Sequence, residues 1–272
     1  MTEQAEKASL FLALHRGESP LLLPNPWDAG SARLLTSLGF KALATTSSGY
    51  AATLGRRDGS VTREEAIAHS ASIVSATHLP VSADLENGFA DDPSGVADTV
   101  RLALQAGLAG CSVEDFTGRE GDAIYDIDLA AERVAAAAEV AHAGPVHLVL
   151  TARAENYLHD RADLRDTIAR LRAYQEAGAD VLYAPGVKRL ADIRKIVQAV
   201  ERPVNVLTFP GAPSVPELGA TGVGRVSTGG AFAFAAIGAV VQAAEELQGE
   251  GTYGFLKGAR IGALAARSAF NG

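Results

Sequence analysis

Short β-type runs alternate with Ala-rich amphipathic segments along all 272 residues, and this alternation restricts the fold more than any single motif. Strands that keep returning through a crossover helix build a parallel sheet. Eight such units can be marked, with strands at 21–25, 41–46, 80–85, 110–114, 147–152, 180–184, 203–208 and 224–228. The helices between them are expected to begin near Asp28, Thr62, Pro93, Asp128, Asp163, Lys188, Ser214 and Ala231. Thr62 and Glu65 have the spacing of a capping box, and Gly39, Gly107 and Gly178 stand where a left-handed turn closes a helix.

Eight units in a chain of this length suit a single (β/α)₈ barrel, a TIM-type α/β fold of about 250 residues. One domain spanning 1–272 is therefore expected, and the 47% hydrophobic content is enough for its core. A doubly wound open sheet alternates in the same way, but no GxGxxG follows the first strand, where its phosphate turn would lie. Residues 252–266 read as an additional C-terminal helix that either covers the barrel or reaches a neighbouring subunit.

A formal charge of −8 without any Lys/Arg block excludes a phosphate-backbone partner, so no nucleic acid is expected. A small anionic substrate remains compatible, since a metal or a local arginine can reverse the potential inside one cleft. Cys111 is the only cysteine, which rules out an intramolecular disulfide and a cysteine metal cluster. The acidic start and the absence of a run of about 20 apolar residues predict a soluble, cytoplasmic protein with no membrane partner.

In a parallel barrel the loops after the strands share one face, so polar residues at strand ends converge. The third strand ends in Asp84-Leu85-Glu86, the fourth in Glu114-Asp115 and the fifth around Arg153 and Glu155. Asp84 and Glu86 are two apart and should point to one side of a strand, with Glu114 arriving from its neighbour. Three carboxylates in a low-dielectric pocket call for a hard divalent cation, Mg²⁺ or in its place Mn²⁺. Arg153 has the fork to bind an acid group, or else to pair with Glu114 or Glu155. Hydroxyls and backbone N–H groups in Thr45–Tyr50, including Ser47, Gly49 and Tyr50, could hold a carboxylate. Trp27, in the stretch Asn25-Pro26-Trp27-Asp28, offers an apolar wall, and Asp28 can cap the next helix.

Other chemistries lack their residues. No lysine falls where a Schiff base needs one, and Cys111, at the start of a strand, reads as a buried core thiol. His159 follows the fifth strand within reach of the site. The Gly-rich stretch 222–230 suggests phosphate binding after a late strand, yet explains none of the acids.

The motifs DLENGF, SVEDFTG, TARAEN and AGADVLYAPG, in this order, resemble the isocitrate lyase/phosphoenolpyruvate mutase superfamily. The resemblance runs from about Pro24 through the eighth strand. It implies a Mg²⁺ and 2-oxo-acid site that stabilises an enolate, with Asp84 as principal metal ligand and Glu86 and Glu114 direct or through water. It further implies Arg153 on a substrate acid group, Ser47, Gly49 and Tyr50 at the carboxylate end, and Asp58 as an active-site acid. A homotetramer with exchanged C-terminal helices also follows from it.

Departures from the family narrow the reaction. The lyase gate Lys-Lys/Arg-Cys-Gly-His is replaced by Phe116-Thr117-Gly118-Arg119-Glu120-Gly121-Asp122, and the histidine or glutamate after the sixth strand by Pro185. The expected activity is a Mg²⁺-dependent carbon–carbon lyase or decarboxylase acting on a small 2-oxo or 2-hydroxy (di)carboxylate. Tyr50, Asp58 and Glu120 are the candidates for returning a proton. The alternatives are a P–C bond hydrolase or mutase acting on a phosphonopyruvate-like acid, and a non-catalytic metabolite-binding barrel.

Overall fold

A computed structural model describes residues 2–119, 121 and 123–270. Among the described residues the strands are β1 (Leu21–Leu23), β2 (Leu43–Ala44), β3 (Val81–Asp84), β4 (Gly110–Glu114), β5 (Val149–Arg153), β6 (Val181–Tyr183), β7 (Val204–Leu207) and β8 (Arg225–Ser227). All pair in parallel, in the order β1-β8-β7-β6-β5-β4-β3-β2. Between β1 and β2 the Ala44 N–H donates to the Pro24 carbonyl at 3.1 Å, and the Asn25 amide donates to the Thr45 carbonyl at 2.8 Å. The result is the expected (β/α)₈ barrel.

The helices are α1 (Glu3–Leu14), α2 (Ala29–Ser37), α3 (Ser47–Thr53), α4 (Arg63–Ala76), α5 (Pro93–Gln105), α6 (Ile127–His142), α7 (Leu164–Glu176), α8 (Leu190–Ala199), α9 (Val215–Gly219), α10 (Ala231–Gly249) and α11 (Leu256–Phe270). The Thr62–Glu65 capping box forms in both directions, at 3.3 and 3.0 Å. Gly39, Gly107 and Gly178 all take positive φ just past a helix end. Along each strand the side chains alternate: Cys111 and Val113 face the helices while Ser112 and Glu114 face the barrel axis. Cys111 is thus a fully buried core thiol, and burial pushes its pKa up to about 12.

Three local expectations change. Residues 3–14, noted in the sequence only as part of an acidic start, form α1, capped by the Thr2 hydroxyl. Its Ala5, Ala8 and Phe11 pack against the starts of the strands and close the N-terminal end of the barrel. The stretch 41–46, expected as a full strand, pairs only at Leu43–Ala44, because the chain turns directly into α3 with Thr46 as its cap. The C-terminal helix, expected at 252–266, runs over Leu256–Phe270 and packs on α2. No described helix is long and apolar enough to cross a membrane.

Candidate active site

Asp84, Glu114 and Arg153 are the last residues of β3, β4 and β5, so the strand register itself brings them together. The Arg153 guanidinium donates to Asp84 Oδ1 at 2.9 Å, Glu114 Oε2 at 3.0 Å and Glu155 Oε1 at 2.8 Å. Of the two roles open to Arg153, the internal ion pair is the one formed. One guanidinium against two buried carboxylates and the half-buried Asp84 leaves an excess of negative charge. Burial is the main force raising the Glu114 carboxyl well above its ordinary range; Arg153 opposes that rise, and the neighbouring acids add to it.

Glu86 does not sit as expected. β3 ends at Asp84, and Glu86 lies beyond it with φ 48°, a left-handed turn rather than a strand position sharing a side with Asp84. It still reaches the same cavity. Burial, followed by repulsion from Asp84 and Asp58, pushes its carboxyl up to about 7.

The space above the strands has two adjoining lobes that share Ser47, Asp58, Arg153 and Leu158. One, about 210 Å³, runs down the barrel axis past Asp84, Tyr183, Asn205, Arg225 and Ser227, with Gly229 and Gly230 at its rim. The other, about 300 Å³, opens outward between Glu86, Glu114, Glu155, Phe116 and His159. Among the described residues no lysine lines either lobe. Ser47 opens α3, and its backbone N–H donates to Asp84 Oδ2 at 3.2 Å.

The remaining expected residues lie further out. Tyr50 stacks on His69 at 3.8 Å and lines a separate small space behind Asp84 and Glu86. Trp27 and Gly49 line neither lobe. Gly49 is needed for packing, since a Cβ there would meet Thr46 Cγ2 at 2.6 Å. Asp28 caps α2 through the Ser31 N–H at 2.6 Å, so its helix-capping role is the one formed. Glu120 lies outside the described residues.

Buried supports hold the site in shape. The Arg133 guanidinium donates to the carbonyls of Asn87, Ala90, Asp91 and Glu114, tying the loop that bears Glu86 to β4, with the Tyr125 ring packed 4.0 Å away. Asp115 accepts from the Glu155 N–H, from Arg170 and from Tyr174, so it anchors β5 and α7 rather than facing the cavity. The Asn156 amide donates to Arg161, Asp163 and Thr167, fixing the turn that carries His159, whose ring stacks on Phe116 at 3.9 Å. These supports were missed in the sequence, as were Asn205, Tyr183 and Arg225 on the late strands. Their one signal was polar residues at alternate, inward positions, as in Arg225 and Ser227.

The donor set suits a hard cation. Asp84, Glu86, Glu114 and Asp58 offer only oxygen atoms, and their mutual repulsion is what a divalent ion relieves. They are not already drawn into a tight chelate, because Arg153 lies between them. Among the described residues, the one group with ligand atoms all within 4.8 Å is His142, His147 and Asp180, at the opposite end of the barrel. There both imidazoles meet the Asp180 carboxylate, at 3.0 and 2.9 Å.

The model of the phosphoenolpyruvate phosphomutase family matches residues 11–248. An uncharacterised protein of Mycobacterium tuberculosis is 34% identical over 80% of this chain and 81% of its own. The 2-methylisocitrate lyase of Escherichia coli is 30% identical over 75% of this chain and 71% of its own, and an oxaloacetate decarboxylase of Ectopseudomonas mendocina 29% over 90% and 85%. Among solved structures, that of 2,3-dimethylmalate lyase superposes with a TM-score of 0.82 at 27% identity, covering 93% of this chain and 90% of the other. A Burkholderia cenocepacia protein, provisionally assigned as a lyase or mutase, reaches 0.92 at 53% identity, covering 94% and 92%.

Proposed function

Because the chain belongs to the isocitrate lyase/phosphoenolpyruvate mutase superfamily, we propose that it is a Mg²⁺-dependent carbon–carbon lyase or decarboxylase acting on a small 2-oxo or 2-hydroxy dicarboxylate. In a 2-oxo diacid the bond from the carbon beside the carbonyl to the remote carboxylate breaks, CO₂ leaves and the electron pair forms the enolate. In a 2-hydroxy diacid the hydroxyl gives its proton to a carboxylate of the outer lobe and becomes a carbonyl, the carbon–carbon bond beside it breaks, and the electron pair forms the enolate of the departing acid. The observation that carries this reading is the crowding of Asp84, Glu86, Glu114 and Glu155 around one guanidinium. Asp84, Glu86 and Glu114 would hold the ion. When bound, a divalent cation supplies positive charge that neutralises these acids and polarises a carbonyl oxygen.

The chain's own residues do the rest. Arg153 orients Asp84 and Glu114 and places positive charge at the cavity wall, where a substrate acid group can share it. Ser47 and the rim glycines Gly229 and Gly230 leave room for the substrate beside Asp84. Asp58 and His159 line the outer lobe and are the groups from which a proton can return to the enolate carbon. Phe116, stacked on His159, walls that lobe from water. We place the enzyme in the cytoplasm as a homo-oligomer built through its C-terminal helices.

The test is a metal-supplemented panel of 2-oxo and 2-hydroxy acids with phosphonopyruvate included, read by product NMR. Pyruvate or CO₂ release from a dicarboxylate is expected, and Asp84→Ala should lower it by at least about 100-fold. Undiminished turnover in that variant, or phosphonopyruvate as the one acid consumed, would remove the lyase assignment.

A further inference from the structure

Arg225 is 4% exposed, lies inside the barrel and lines the floor of the inner lobe. All the partners of its guanidinium are neutral. It donates to Asn205 Oδ1 at 2.9 Å, to His15 Nε2 at 3.1 Å and to Thr151 Oγ1 at 3.2 Å. His15 is held neutral, since burial and then Arg225 itself push its pKa down to about 3, and its Nδ1 lies 2.7 Å from the Phe11 carbonyl. That arrangement makes Nδ1–H the donor and Nε2 an acceptor for Arg225.

A guanidinium has five N–H donors, and three are used here. No carboxylate among the described residues pairs with it, while Arg153, at the end of β5, is paired with three. Burying an isolated charge is costly unless a counter-charge meets it. The described residues provide none, yet the fold leaves Arg225 on the wall of a cavity of about 210 Å³, beneath Asp84 and Ser47. Arginine rather than lysine suits the place, because a fork can hold Asn205 and Thr151 and still present N–H groups to a planar acid.

We propose that Arg225, braced by Asn205, Thr151 and His15, is a second anion-binding site at the floor of the barrel, taking the carboxylate of a dicarboxylate substrate that lies remote from its 2-oxo or 2-hydroxy group. The assignment of that carboxylate to a substrate rests on the lyase reading, whereas the anion site itself does not. It gives the selectivity for diacids a residue: the upper end of the substrate meets Asp84 and Ser47, and the lower end meets a cation on the cavity wall whose partners are all neutral.

The probe is malonate, a diacid without a 2-oxo group, titrated into the full-length protein without divalent cations at constant ionic strength, by thermal shift and calorimetry. Malonate should raise Tm saturably in the wild type and in Asp84→Asn. Arg225→Gln should weaken it about 10- to 100-fold, the range for losing a hydrogen bond to a charged group. No saturable response in the wild type, or an equal one in Arg225→Gln, overturns the site. Should Arg225→Gln fail to fold, a wild-type crystal grown with malonate decides: a carboxylate must lie on the Arg225 N–H groups, and malonate bound elsewhere refutes it. A malonate response without turnover of any acid would leave the site standing and remove the lyase reading. Turnover of a diacid with KM unchanged in Arg225→Gln would do the reverse.

Discussion

Glu86 shows how one side chain can link metal affinity to stability. Its carboxyl is held at about 7, above the 4.5 of an unperturbed glutamate, so the folded state binds the proton more tightly than the unfolded chain. The stabilisation linked to that proton is complete below about 4.5 and is lost as pH rises through about 7. Without divalent cations, Glu86→Gln should match the wild type at pH 4 and exceed its stability at pH 8 by on the order of 1–3 kcal/mol, measured by denaturant unfolding. Mg²⁺ affinity of the wild type should climb across the same window, since a ligand must shed its proton. An affinity that is flat with pH, or equally steep in Glu86→Gln, contradicts the ligand role. The sequence named Asp84, Glu86, Glu114 and Arg153, but not the left-handed backbone at Glu86, which depends on Arg133 gripping the loop from a distant helix.

Element boundaries were legible wherever a local interaction sets them. Caps, capping boxes and closing glycines act within four or five residues, so Thr62, Asp163 and Gly178 could be read directly. Gly178, at φ 106°, adds a close approach: a Cβ there would lie 2.9 Å from the Ala138 side chain on α6. Gly178→Ala should therefore cost about 2–3 kcal/mol, from backbone strain plus the clash. Gly39→Ala, at φ 87° with nothing within 4 Å, should cost only about 1 kcal/mol. Thermal unfolding of the two variants compares them, and equal losses would mean that contact with α6 contributes nothing. α1 and α3 were not legible, because each forms against partners far away in sequence: α1 against the strand starts and α3 around Asp84.

At the scale of the molecule, the last two helices leave much apolar surface uncovered. Phe234, Ile237, Val240 and Val241 on α10 and Leu256, Ile261 and Leu264 on α11 are exposed, with Val240 at 68% and Ile261 at 71%. Apolar area of this extent marks an interface. Light scattering should find an oligomer, a tetramer by family resemblance, and removing residues 250–272 should lower both its mass and its Tm. A monomer of unchanged Tm would show these helices to be self-sufficient. The sequence alone determined the barrel, because eight repeated βα units with alternating burial have few other ways to cover both faces of a sheet. It also determined which acids share a face, since every strand end points the same way. Tertiary structure decided the charge balance. Which arginine is saturated by carboxylates and which is left among neutral groups depends on inter-strand register and on α1 reaching the barrel floor, contacts between residues up to 210 positions apart.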